Sequence, residues 1–275
     1  MAPRAGRFMR GCVRRSDAIL AAAVLIAAAL PAGAAPQRVV SMNLCSDQLA
    51  MMLAAPEQLV SVSSLAQDPR LSPMADQAAA YKANTGRAEE IYLMRPDLVI
   101  AGTYTPPATV AMLRRLGIRV ETPPPAEDFD AIRADITRMG DWLGQPQAAR
   151  DLLARFDADL AAARRPGGRG RAALYEANGF TSGPDTLAGS ILEAAGYANI
   201  AADHGISATT TLPLELLVMS DPDRLITGAK WPGQSQGEAI LDHPALAAFP
   251  GRAQVTDLNW TCGTPFVTRA IRSLE

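Results

Sequence analysis

Between Glu127 and Arg165 apolar residues recur every three or four positions: Phe129, Ile132, Ile136, Met139 and Leu143, then, past Gly144 and Pro146, Leu152, Phe156 and Leu160. That spacing places them on one helical face. Asp128, Asp130, Arg133, Arg138, Asp141, Arg150, Asp151, Arg155, Asp157 and Asp159 fall mostly on the other. The stretch predicts two consecutive helices, the second long and charged, forming a strut with one buried stripe and one wet face. A surface helical hairpin of an ordinary α/β domain fits the same pattern.

The flanks of this stretch resemble each other. Before it, Glu89 to Gly102 reads EEIYLMRPDLVIAG; after it, Glu215 to Gly228 reads ELLVMSDPDRLITG. Glu89 pairs with Glu215, Pro96 with Pro222, Asp97 with Asp223, Ile100 with Ile226 and Gly102 with Gly228, always 126 positions apart and without a gap. Each copy predicts a short apolar helix with an acid in its first turn, a Pro-Asp stop, an apolar strand and a terminal glycine. Two copies in register on either side of a helical strut predict two similar lobes.

The rest of the chain alternates in the same way. Strands are expected at Arg38 to Met42, Leu59 to Ser63, Arg119 to Thr122, Ala172 to Glu176 and Ala253 to Asp257, with Ser46 capping a helix up to Leu53. Further helices are expected at 107–116, 185–195, 237–241 and 265–274, and residues 64–84 read as loop with short helical turns. This predicts an α/β fold of two Rossmann-like lobes with parallel sheets and a ligand cleft at the carboxyl ends of the strands. The loops there are Ser41 to Cys45, Gly102 to Thr105, Asn178 to Ser182, Gly228 to Gly233 and Asn259 to Thr264. They carry Tyr104, Phe180, Trp231 and Trp260, whose flat rings suit a planar ligand, with loop packing as the alternative for each.

Five arginines ahead of an apolar run from Ala18 to Leu30, then Pro31 and Ala32-Gly33-Ala34, form a secretory leader with cleavage expected after Ala34. The boundaries expected are 1–34 for the leader, 35–125 for the first lobe, 126–166 for the connecting helices and 167–275 for the second lobe. Without the leader the chain holds 21 basic and 27 acidic residues, a balance that argues against nucleic acid as a partner.

The opening RVVSMNLCSDQLAMML, the two repeated segments GRAEEIYLMRPDLVIAG and LPLELLVMSDPDRLITG, DHPALAAFPGRAQV and the late WTCGTPF together resemble the class III substrate-binding proteins of ATP-driven (ABC) importers. That group captures cobalamin, ferric siderophores and haem in the periplasm. The resemblance implies a rigid helical connection, a soluble periplasmic monomer without an intrinsic cofactor or resident metal, and a transported metal chelate, corrinoid or ferric siderophore. It also implies delivery to an inner-membrane permease dimer, with Glu89 and Glu215 as the docking carboxylates. An acid in a first helical turn is equally favoured by the helix dipole alone.

Cys45 and Cys262 are the two cysteines beyond the leader. Three readings stand: a disulfide tying the lobes, two separate thiols lining the cleft, or a thiolate ligand to the transported metal. Arg70 and Arg87 are candidates for an anionic ligand or for solvated surface. Two rival functions remain to be weighed. A free zinc or manganese receptor would need converging donors, and the chain offers only His204 and His243. A secreted serine hydrolase would use Ser182, which sits one place late for a nucleophile elbow.

Overall fold

The computed structural model describes residue 1 and residues 34–275 apart from 234, 250 and 256, so the predicted leader lies outside the described residues. Pro36–Glu275 form one compact unit, and Met1–Ala35 another, of which only Met1, Ala34 and Ala35 are described. No helix among the described residues is long and apolar enough to cross a membrane.

The first lobe runs β1 (Val39–Ser41), α1 (Leu44–Leu53), β2 (Leu59–Ser63), α2 (Ala75–Ala78), β3 (Lys82–Asn84), α3 (Ala88–Leu93), β4 (Leu98–Ile100), α4 (Pro107–Arg115) and β5 (Arg119–Glu121). Its sheet is parallel throughout, in the order β3-β2-β1-β4-β5. Two helices follow, α5 (Phe129–Leu143) and α6 (Pro146–Ala163). The second lobe contributes β6 (Arg171–Leu174), β7 (Phe180–Ser182), α7 (Leu187–Ala194), β8 (Ala198–Asn199), β9 (Thr209–Thr211), α8 (Leu214–Ser220), β10 (Arg224–Gly228), α9 (Pro244–Ala247), β11 (Arg252–Val255) and α10 (Val267–Ser273). Its main sheet is parallel, in the order β11-β10-β6-β8, while β7 and β9 form a separate antiparallel pair.

Strand periodicity decides how the cores are divided. Successive side chains leave a strand on opposite faces, and strands of a parallel sheet are buried on both. Val39, Leu98 and Ile100 enter one core, whereas Val40 and Val99 enter another beneath Ile91 of α3 and Leu113 of α4. In the second lobe Ala172, Leu174 and Ile226 join the first of these cores, while Ala173, Tyr175 and Leu225 pack with Leu217 of α8 in a third. The shared core continues through Ile132, Ile136, Met139, Leu143, Leu152, Phe156 and Leu160, which is the apolar stripe of the strut. One apolar mass therefore links both lobes, and each buried leucine, isoleucine or phenylalanine contributes about 1.5–3 kcal/mol of transfer free energy.

Helices α5 and α6 fold back on each other. Asp128 caps α5 by accepting the Ala131 N–H at 2.7 Å, and Gly144, at φ 68°, ends it where a left-handed residue is needed. Gly140 lets the pair close, because a Cβ there would stand 2.4 Å from Cβ of Ala149. Arg133 of α5 then reaches Asp130 of its own helix and Asp157 of α6, each at 2.7 Å.

The repeat offset of 126 has a geometric basis. Arg95 and Asp221, equivalent positions, both take left-handed conformations at φ 52° and 46° after their helices. Asp97 accepts the backbone N–H of Arg38 at 3.0 Å at the entry to β1, and Asp223 accepts that of Arg171 at 2.7 Å at the entry to β6. The Pro-Asp stop is thus a clamp on the central strand of each lobe.

Three local expectations are corrected. Asn43 caps α1, accepting from the N–H of Cys45 at 3.0 Å, because Ser46 lies inside the helix with its hydroxyl on the carbonyl of Ala101. Residues 64–84 contain a strand, β3, whose Lys-Ala-Asn sequence has no apolar alternation to announce it, since it is a sheet edge held by backbone pairing. The Asn178–Ser182 loop holds β7, which pairs antiparallel with β9 and departs from the all-parallel expectation.

Candidate functional site

A cavity opens at the carboxyl ends of β1, β4 and β5. The first lobe lines it with Asn43, Cys45, Ser46, Thr103, Tyr104 and the three prolines 123–125; the second adds Thr261 and Gly263. Helix α5 completes it with Asp135, Met139 and Trp142. The loop bearing Asn43 is fixed from two sides. Its side chain packs against Gly102, where a Cβ would lie 2.5 Å from the Asn43 amide nitrogen, and Asp47 one turn into α1 accepts the Ser63 N–H at 3.1 Å and its hydroxyl at 2.5 Å. Burial pushes the Asp47 carboxyl up to about 6, with Ser41 and Ser63 opposing the rise.

The cavity's polar groups are hydroxyls, one amide and one carboxylate, set among proline, methionine and tryptophan. The carboxylate, Asp135, is 8% exposed and paired with Arg138. Burial raises its pKa, and the Arg138 charge opposes that. The volume is about 140 Å³, below the roughly 300–1,000 Å³ of a pocket that encloses a drug-sized ligand.

Cys45 and Cys262 form a disulfide, with Cα atoms 5.1 Å apart, inside the range a bridge requires. Of the three readings the bridge is the one realised, so the separate-thiol and thiolate-ligand readings are corrected. The bond pins the first turn of α1 to the segment ahead of α10. Beside it the buried hydroxyl of Thr264 donates to Gln48 at 2.9 Å, a second link between the lobes.

The predicted cleft residues separate. Tyr104 and Cys45 line the cavity, and Tyr104 is 86% exposed at its lip. Trp260 is half-buried against the shared core, and Cys262 is buried in it. Phe180 is exposed at the start of β7. Trp231 lies under the guanidinium of Arg70 from the other lobe, 4.9 Å from ring centroid to Cζ, and that arginine is in turn held by Asp68, whose carboxyl it lowers to about 2. Glu89 and Glu215 are exposed in the first turns of α3 and α8. Arg87 is exposed on the same surface as Glu89, outside the cavity.

Asp135 and Trp142 were not singled out from sequence, and Met139 was read as core, which it also is. Asp135 and Trp142 flank the core face of α5 at Met139, and the signal was a carboxylate and a tryptophan on the border between the buried and charged faces. For the rival functions, no three His, Cys, Asp or Glu side chains converge on a metal position among the described residues. His204 bonds Ser220 at 2.6 Å, His243 caps its own helix, and Ser182 contacts Thr209, so each histidine is engaged with a group other than Ser182.

A family model described as "Periplasmic binding protein" matches residues 39–253, most of the chain and both lobes. The chain belongs to the periplasmic binding protein family. Two curated relatives, each named "Cobalamin-binding protein", from two strains of Halobacterium salinarum, are 29% identical over 201 residues, covering 70% of this chain and 54% of theirs. The chain thus spans about half the length of the curated relatives it matches. Among solved structures, the periplasmic heme-binding protein from Roseiflexus sp. RS-1 in apo form has a TM-score of 0.70 at 25% identity, over 86% of this chain and 97% of that one. The periplasmic vitamin B12 binding protein of Vibrio cholerae has a TM-score of 0.63 over 87% and 95%, and at 17% identity its likeness is of fold alone. The family and these neighbours are binding proteins, and the two-lobed α/β architecture is theirs.

Proposed function

We propose that this chain captures a corrinoid in the periplasm and delivers it to an inner-membrane ATP-driven importer. The observation that carries the reading is the chemistry of the cavity: hydroxyls, an amide and a single buried carboxylate around an apolar floor. A corrinoid presents neutral amides around a broad ring, which such groups serve by hydrogen bonds and apolar contact. Haem and most ferric siderophores carry anionic groups, and the cavity lining offers no arginine, lysine or histidine among the described residues to pair with them. The corrin edge occupies the cavity against Trp142 and Met139, with the remainder over the open cleft near Tyr104. The name of the Halobacterium relatives agrees with this choice. Glu89 and Glu215 serve as the docking carboxylates, one on each lobe, and the leader carries the chain to the periplasm.

The test is Trp142→Ala titrated calorimetrically with cyanocobalamin. The expected result is affinity lower by about ten- to a hundredfold, as for loss of an aromatic contact, measured well below the thermal midpoint, which also falls because Trp142 packs against the shared core. Unchanged affinity would remove the cavity from the ligand site.

A further inference from the structure

Two side chains of the cavity are fixed through one polar atom and left with the other. Asp135 pairs through Oδ1 with Arg138, further along the same helix, while its Oδ2 accepts no hydrogen bond among the described residues. The side chain lines the cavity and is 8% exposed. It bonds to no other element among the described residues, so the fold would be served as well by an apolar side chain here. Paired with a guanidinium, the carboxylate is an acceptor only.

Asn43 is fixed in the opposite sense. The N–H groups of Cys45 and Ser46 donate to its Oδ1 at 3.0 and 3.4 Å, which turns the amide nitrogen to the other side, against Gly102. That nitrogen carries two protons and donates neither among the described residues. Ser46 and Thr103 already donate their hydroxyl protons to the carbonyls of Ala101 and Pro123. Inward of Tyr104 at the lip, the side chains of the first lobe and α5 thus leave the cavity one free donor, Asn43 Nδ2, and one charged acceptor, Asp135 Oδ2.

A primary carboxamide presents the complement, an NH₂ and a C=O on one carbon. A carboxylate of the same shape presents two acceptors, one of which meets Asp135. An alkylamine satisfies Asp135 and leaves Asn43 unmatched. We propose that the cavity takes one primary carboxamide arm of the ligand, Asp135 accepting its N–H and Asn43 donating to its carbonyl, so that the pair selects amide-bearing over acid-bearing corrinoids. A volume of about 140 Å³ suits a single arm. The inference rests on the corrinoid reading above and sharpens it, since it separates corrinoids of equal size.

The experiment titrates residues 35–275 calorimetrically at neutral pH with cyanocobalamin and with its singly hydrolysed derivatives, each having one peripheral carboxamide turned into a carboxylate. The parent is expected to bind at least one of these acids about ten- to a hundredfold more weakly than cyanocobalamin, as for loss of a hydrogen bond to a charged group. Asp135→Asn keeps the shape and can donate to a carboxylate, and it narrows that gap to about threefold or less. The gap is a ratio read within one variant, so a change in stability does not move it. Asn43→Asp keeps the oxygen that caps α1 and loses the donor, and it lowers cyanocobalamin affinity about tenfold. Equal affinity of the parent for cyanocobalamin and every acid, a gap that Asp135→Asn leaves unchanged, or full cyanocobalamin affinity in Asn43→Asp overturns the carboxamide inference and leaves corrinoid capture standing. A parent that binds no corrinoid overturns corrinoid capture itself, and this inference with it.

Discussion

Replacing Cys45 and Cys262 together by serine is expected to lower the stability of the folded chain by about 2–5 kcal/mol, the usual result of removing a native disulfide. The bridge joins residues 217 apart in sequence, and in the chain-entropy account a loop of that size sits near the upper end, at about 5 kcal/mol. The shared core already holds the lobes together, so the loss falls in unfolding free energy rather than in fold. The bond also anchors the Cys45 wall of the cavity to the second lobe, and the same variant should bind ligand more weakly through a less ordered wall. Denaturant unfolding of the double variant beside the oxidised parent checks the claim, and coincident midpoints would contradict it.

Asp47→Asn is expected to change the pH dependence of stability by about 3 kcal/mol. The buried carboxyl titrates near 6 in the folded chain against 3.8 for the unperturbed group. Between those values the folded state binds more protons than the unfolded one, so stability falls as pH rises through this window. The contribution is fully present below pH 3.8 and lost above about 6. At 1.36 kcal/mol per pKa unit, the shift corresponds to about 3 kcal/mol. The asparagine variant keeps an acceptor for Ser63 and does not titrate. Relative to the parent it should therefore gain about 2.4 kcal/mol between pH 4 and pH 7, the rest of the shift being expressed below pH 4. Other carboxylates, Asp68 among them, cancel in this comparison. Parallel stability curves for the two proteins would contradict the account.

How much of this was legible beforehand depended on the kind of signal. The strut was legible because its apolar stripe is long and strictly periodic, and the two-lobed plan because the Pro-Asp clamps repeat in register. Asp97 and Asp223 hold the same backbone position in each lobe, so the same residue types recur at a fixed offset. The cysteine bridge was not decidable, since spacing in sequence carries no distance in space, and only a Cα separation of 5.1 Å distinguishes it from two thiols. Strand β3 was hidden because edge pairing uses the backbone, which no side-chain pattern reports. The aromatic residues of the cleft loops were treated alike from sequence, yet Trp260 packs against the core and Tyr104 stands in solvent. Trp142 was missed for the converse reason: a helix facing both a core and a cavity blends two stripes into one, and the pattern alone does not separate them.

The central claim, capture of a corrinoid, is tested most directly by calorimetric titration of residues 35–275 with cyanocobalamin, cobinamide, ferric hydroxamate and catecholate siderophores, and hemin. The account predicts a corrinoid dissociation constant of about 1 μM or tighter, about −8 kcal/mol, with hemin and the siderophores at least about tenfold weaker. Tightest binding of hemin or a ferric siderophore, or no binding across the panel, would contradict it.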